Sequence, residues 1–384
     1  MVYIAEQSFY FMAISDYLKP KKALSLFLLL FIPGILQAEE YNYETILKLM
    51  HLREYRIVTK SDTIYFLATL PDKKKKTIIF CSGSGPVPLF VKMPEGIYPC
   101  AFPFEIDSNT RSQFNIVVIS KPGIKRFATV EDISPELAKQ YQFLQLDSDN
   151  RPPQKYIRNN SLYKLGGDGI AVVKFLKKQP WIDKENIYLF GHSQGAMVAA
   201  YVASKMPGEI KGLIYAQGNA YGIHAEYLSS IIYNQSSITD VNKMMDSVYK
   251  LHKYLVNGIP DKELDSIYQW KEADLFDKKK NDFYDLTTNR WRSLEEPPGI
   301  EYLLKTNCSV LLVQGLNSPG DMDNKNIPLD FVRHHKRNLT TLFYPGYDHN
   351  YFKQATDEKG NRKEPEQHWN DIFNDVKKWI LSGR

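Results

Sequence analysis

A mostly parallel β-sheet covered by helices on both faces is the fold class this chain predicts, on three observations. From Glu54 onward short apolar or β-branched runs alternate with helical patterns, the sequence sign of layered α/β structure. Thr77–Cys81, Ile187–Phe190 and Val310–Val313 are nearly continuously apolar rather than alternating, as strands buried on both faces must be. A long stretch, residues 221–306, carries helical patterns where the strand series pauses, and reads as an insertion into one domain.

Taken in order, Tyr55–Thr59 and Thr63–Thr69 predict an opening antiparallel pair, and Lys73–Lys76 a solvated turn before the central strand Thr77–Cys81. Phe114–Ser120 is the next strand. Asp168 stands where an N-cap belongs, after the flexible pair Gly166-Gly167, with Ile170, Val173, Phe175 and Leu176 as the apolar face of a helix ending near Pro180. Strand Ile187–Phe190, small-residue helix Ala196–Lys205 and strand Gly212–Ala216 follow, then Val310–Val313, Thr340–Tyr344 and a closing helix Trp369–Leu381. Pro86–Thr110 and Ser134–Tyr163 are rich in Pro, Asn and aromatics and are expected to build a pocket rim. The insertion at 221–306, including the helical pattern Val241–Leu255, is expected to be a helical cap over the strand ends.

The N-terminus is set apart by the order of its features. A basic patch, Lys19, Lys21 and Lys22, precedes the apolar run Ala23–Leu36, and Leu36-Gln37-Ala38 precedes Glu39-Glu40. That is the layout of a secretory signal peptide. The run is shorter than the roughly 20 residues that span a bilayer, so residues 1–38 are expected to be cleaved after Ala38, leaving 39–384 as an exported, periplasmic or secreted domain with no stable membrane anchor. Met12 as the start would give the signal ordinary proportions.

Composition excludes other classes. With 49 Lys and Arg against 44 Asp and Glu, the net charge is +5 and scattered, so no basic face for nucleic acid is expected. Three cysteines, Cys81, Cys100 and Cys308, cannot all pair within one chain. A Cys81–Cys100 bridge and buried free thiols are both open readings in an oxidising compartment. No Cys/His spacing suggests a metal, and no cofactor is implied.

The chemistry concentrates at Gly191-His192-Ser193-Gln194-Gly195, which follows a predicted strand and opens a predicted helix. In that context the flanking glycines permit a sharp, strained turn that exposes the Ser193 hydroxyl at the strand end. The backbone N–H of Gln194, at the helix start, is then aimed at a developing oxyanion. His192 should point away along the turn and is read as packing. His334 and His335 fall in a surface helix.

This elbow, its place in the strand series and a late histidine resemble the α/β-hydrolase superfamily, over roughly Glu54 to the C-terminus. The resemblance implies the order nucleophile, acid, base. His349, in Pro345-Gly346-Tyr347-Asp348-His349-Asn350 directly after the last strand, is then the general base. The usual G-x-x-D acid position falls on Ser318, and a short insertion carries Asp321 and Asp323 beyond it. Asp323 is favoured as the acid that orients the base, with Asp321 the alternative. The second oxyanion donor is expected in Cys81-Ser82-Gly83-Ser84-Gly85-Pro86, which is similar to the G-S-G-P loop of bacterial esterase-like members. Ser84 N–H is the assignment, Gly83 or Gly85 the alternatives. No Lys follows in the arrangement a phosphate-binding loop needs. Lys121-Pro122-Gly123 faces the same cleft and is a plain turn by default.

The expected activity is acyl transfer to water on a carboxylic ester. Peptidase or thioesterase action on the same fold is the alternative, and a non-catalytic binding protein on this scaffold is the second class. Ester is preferred to peptide because no propeller or other gating domain precedes the catalytic region. The substrate is a small-molecule or peptidic acyl compound, and the oligomeric state is left open.

Overall fold

The computed structural model describes residues 42–353 and 365–383, except 61, 95, 101, 139–142, 149–150, 223–224, 226–292, 296 and 318. The expected signal at 1–38 lies outside the described residues, as does nearly all of the expected cap, Val241–Leu255 included.

The described residues open with a short helix, Tyr43–Leu49, capped by the Asn42 side chain. Strands follow as β1 (Leu52–Val58), β2 (Thr63–Thr69), β3 (Lys75–Cys81), β4 (Phe90–Met93), β5 (Gly96–Pro99), β6 (Phe114–Ile119), β7 (Phe127–Thr129), β8 (Ile182–His192), β9 (Gly212–Ala216), β10 (Ser309–Gly315) and β11 (Leu339–Tyr344). Eight of them form one sheet in the order β1-β2-β6-β3-β8-β9-β10-β11. Only β2 runs against its neighbours; every other pairing is parallel. Parallel neighbours need crossovers, and helices supply them. This is the α/β-hydrolase sheet.

Two apolar layers clasp it. On one face Leu162–Leu176, Gln194–Lys205 and Gly299–Lys305 pack over β-strand residues such as Ile79, Leu189 and Leu312. On the other, Tyr43–Leu49 and Trp369–Leu381 cover Ile78, Phe190 and Leu311. Phe190 and Phe373 are fully buried there, each contributing about 2–3 kcal/mol by area removed from water. Among the described residues no helix is long and apolar enough to cross a membrane.

Three expectations are corrected. Asp168 is not an N-cap: the helix starts at Leu162, capped by Ser161, whose hydroxyl accepts from Lys164 N at 3.3 Å. Asp168 sits in mid-helix, paired to the Lys164 ammonium at 2.6 Å, and burial raises its pKa. Gly166 and Gly169 are there for helix packing, since a Cβ on Gly166 would overlap the Tyr201 ring and one on Gly169 would lie 2.8 Å from Val202 Cγ2. Second, the solvated turn is shorter than expected. Lys75 and Lys76 belong to β3, and Lys75 is buried, its ammonium donating to Arg111 O at 2.6 Å and meeting Asp72 at 2.5 Å. Third, the segment after Pro86 is more than a rim. β4 pairs with β5 and β7 into a three-stranded sheet with its own core of Val91, Tyr98, Ala128, Ile133 and Phe143.

Candidate active site

β8 ends at His192, and the helix Gln194–Lys205 begins two residues later. Ser193 makes the whole turn, at φ 55° and ψ −127°, a conformation that costs a non-glycine residue about 1–3 kcal/mol. The surroundings enforce it. Ser193 N donates to Ala216 O at 3.0 Å, and Ser193 O accepts from Ala196 N at 2.9 Å. A Cβ on Gly191 would overlap Gly195 O, and one on Gly195 would overlap Cys81 O and lie 2.7 Å from Ser82 O. Both glycines are therefore demanded by close backbone approach, and the elbow is pressed onto the end of β3. Among the described residues no group of three or more His, Cys, Asp or Glu is arranged to hold a metal ion.

That contact brings the Gly-rich loop to Ser193. β3 and β8 are parallel neighbours with Cys81 opposite Gly191, so Ser82–Pro86 and Ser193 leave the sheet side by side. Ser84 is buried. Gln194 is the first residue of its helix, where backbone N–H groups have no intrahelical acceptor. Its side-chain amide donates to Asn160 Oδ1 at 3.0 Å, tying the elbow to the helix Gln154–Asn159. On the far side of the loop the buried Lys121 ammonium donates to Gly83 O and, at 2.7 Å, to Gly85 O. Lys121 therefore does more than open the turn at Gly123, whose φ is 78°.

His349 lies in the loop after β11, and a set of hydrogen bonds fixes its backbone. Asp348 Oδ1 accepts from Asn350 N at 2.9 Å and Phe352 N at 2.8 Å. Gln217 Nε2 donates to Asp348 O at 2.8 Å, and a Cβ on Gly315 would lie 2.6 Å from Tyr347 O and Asp348 O. His192 completes the clamp: its Nε2–H donates to His349 O at 2.9 Å, with ring centroids 5.1 Å apart. A carbonyl can only accept, which fixes the tautomer. Burial, reinforced by the neighbouring His349, pushes the His192 pKa down to about 3. His192 is a packed residue, and what it packs against is the His349 loop, because β8 carries its last side chain toward the loop that follows β11.

The loop that carries Asp321 and Asp323 follows β10. Leu316 N donates to Tyr344 O at 3.0 Å and Asn317 N to Tyr347 O at 2.8 Å, so this loop and the His349 loop are joined at their roots. Asp321 and Asp323 both fall in the 3₁₀ helix Pro319–Asn326. The Asp323 carboxylate lies near Tyr221, where it adds to the burial and the Asp330 hydrogen bond that raise the tyrosine's pKa. In the same 3₁₀ helix Asn324 is buried, donating to Gly218 O and to Gln314 Oε1 at 3.2 Å and accepting from Ala220 N at 3.2 Å, so that it ties this loop to the segment after β9. The fold thus brings the elbow, the Ser84 loop and the His349 loop together at the strand ends, and sets Asp323 on the adjoining β10 loop. Gln217, Asn324 and Lys121 carry much of this framework without any motif to mark them. A positive φ of 48° at Gln217, one residue past β9, is a structural signal only.

No protein-family model and no curated protein sequence matches the chain. Solved structures do. The chain is similar to the acylaminoacyl peptidase of Pyrococcus horikoshii (13% identity, 78% of this chain and 37% of that one, TM-score 0.44). It is similar also to dipeptidyl peptidase 4 of Porphyromonas gingivalis (10%, 86% and 35%, TM-score 0.48) and to Est1E of Butyrivibrio proteoclasticus (13%, 86% and 98%, TM-score 0.44). It spans little more than a third of the two peptidases' length. At such identities the likeness concerns fold, and the fold assignment rests on this chain's own strand order. The protein has the α/β-hydrolase fold, with a strained serine at the turn where that fold carries its elbow.

Proposed function

We propose that this protein is an exported serine hydrolase that transfers the acyl group of a carboxylic ester to water. The observation that carries the proposal is Ser193 at φ 55° and ψ −127°, strain retained at the mouth of a Gly-rich loop and beside the loop of His349. In the proposed cycle His349 takes the Ser193 proton as Oγ attacks the ester carbonyl, and the carbonyl oxygen becomes an oxyanion received by the N–H groups of Gln194 and Ser84. Collapse expels the alcohol, protonated by His349. Water, deprotonated by the same imidazole, then releases the carboxylic acid and frees Ser193. Asp323 is proposed to hold the imidazole in its tautomer, with Asp321 the alternative. An ester asks less of the general acid than an amide, whose amine must be protonated to leave; peptidase or thioesterase action remains the alternative reading.

The test is covalent labelling with a fluorophosphonate, together with profiling on acyl esters of graded chain length and on aminoacyl amides. We expect an adduct on Ser193 that S193A and H349A abolish, ester turnover above amide turnover, and a loss of about 10²- to 10⁴-fold in kcat for D323N against little change for D321N. N-terminal sequencing of the exported protein should begin at Glu39. A folded wild type that neither labels nor turns over any acyl substrate would sink the hydrolase reading in favour of a binding protein, and amide turnover alone would sink the ester.

A further inference from the structure

Lys121 lies just beyond β6 and is buried, at 8% exposure. Burying an ammonium is costly unless it is well provided with acceptors, and its acceptors here include two carbonyls of one loop, Gly83 O and Gly85 O. It lines a cavity of about 130 Å³ whose walls include Asp62, Lys155 and Asp168. Those two carboxylates are held by other lysines, Asp62 by Lys155 at 2.6 Å and Asp168 by Lys164 at 2.6 Å.

The consequence follows from peptide geometry. In a trans peptide the C=O and the next residue's N–H point in opposite directions across one rigid plane. The carbonyl that Lys121 takes from Gly83 belongs to the same plane as the N–H of Ser84. Gly83, without a Cβ, gives that plane rotational freedom on its N-terminal side. A flip would turn the N–H away and present an oxygen where an oxyanion must be stabilised. The second bond, to Gly85 O, pins the Gly85–Pro86 peptide two units on, and Gln145 N, donating to Pro86 O at 2.9 Å, holds the loop's end.

We propose that Lys121 is a positioning residue for the oxyanion site: by binding the carbonyls of Gly83 and Gly85 it locks the Gly83–Ser84 peptide with its N–H directed away from the ammonium, toward the side on which the loop meets the elbow. The positive charge also draws the negative end of that peptide dipole, making its N–H a better donor. This inference rests on the hydrolase reading and deepens it.

The experiment compares wild type, K121M, K121Q and K121R for kcat, KM and the rate of fluorophosphonate labelling, with folding followed by circular dichroism. K121M and K121Q are expected to lose about 10- to 100-fold in kcat and in labelling rate with KM within about threefold, because the oxyanion forms only after binding. K121R, which keeps donors, should recover a substantial part. If folded K121M or K121Q retains kcat within about twofold of wild type, or if the loss falls on KM alone, the proposal is overturned. It is equally overturned if neither neutral variant folds, since Lys121 would then serve the fold as a whole. A wild type without activity or labelling would instead overturn the hydrolase reading on which the proposal stands.

Discussion

At the scale of single residues the elbow is a place where stability is spent. Ser193 occupies a backbone region suited to glycine, so S193G should remove both the hydroxyl and the strain. We expect that variant to be inactive yet more stable than wild type by about 1 kcal/mol, read as a higher midpoint in urea unfolding; a lower midpoint would show that the turn is not strained as its angles imply. The neighbouring residues divide by how they act. Gly191 and Gly195 give room for backbone approach, and their positions are legible in the sequence because strand, turn and helix are contiguous there. His192 was legible only as a packed residue, since its carbonyl acceptor belongs to a loop that no local pattern connects to it.

At the scale of elements, the helix Leu162–Leu176 shows how one residue type carries opposite meanings. Gly166 meets the Tyr201 ring, whereas a Cβ on Gly167 would find nothing within 4 Å. Alanine in a helix interior is favoured over glycine by about 1 kcal/mol. G167A should therefore raise stability by up to about that amount, and G166A should lower it by about 1–3 kcal/mol as the helix is forced off Gln194–Lys205. Combining G166A with Y201A should remove the clash, so that the pair is less than additive; additive thermal-melt losses would disprove the packing role. Reading Gly166-Gly167 as a flexible lead-in to a cap failed for this reason: composition does not distinguish glycine at a turn from glycine under a neighbouring helix.

At the scale of the whole molecule, His192 couples the site to global stability. Its pKa is about 3 in the folded protein and about 6.5 in an unfolded chain. Between those values the unfolded state holds the extra proton, so this group's contribution is full above pH 6.5 and is lost as pH falls toward 3, at up to about 1.4 kcal/mol per pH unit. H192Q cannot titrate there and should show a shallower decline of unfolding free energy between pH 6 and 4, by about one proton. Equal slopes would mean that His192 is protonated in the folded state. Asp62, Asp107 and Asp132, whose hydrogen-bond and lysine partners outweigh burial and lower their pKa, weaken the fold in the same direction in both proteins and so cancel in the difference.

By itself the sequence determined the strand series, the turn at Ser193 and the place of His349 after the last strand of the main sheet, because each is written in neighbouring residues as periodicity or as a turn between two elements. The tertiary structure alone decided what holds those parts in register: His192 to His349 across 157 residues, Gln217 to Asp348 across 131, Asn324 to Gly218 across 106 and Lys121 to Gly83 across 38. Each is a buried polar side chain answering a distant backbone carbonyl. Burial makes such a bond obligatory, while the spacing between its partners is set by the length of the intervening chain and carries no period that a sequence could display.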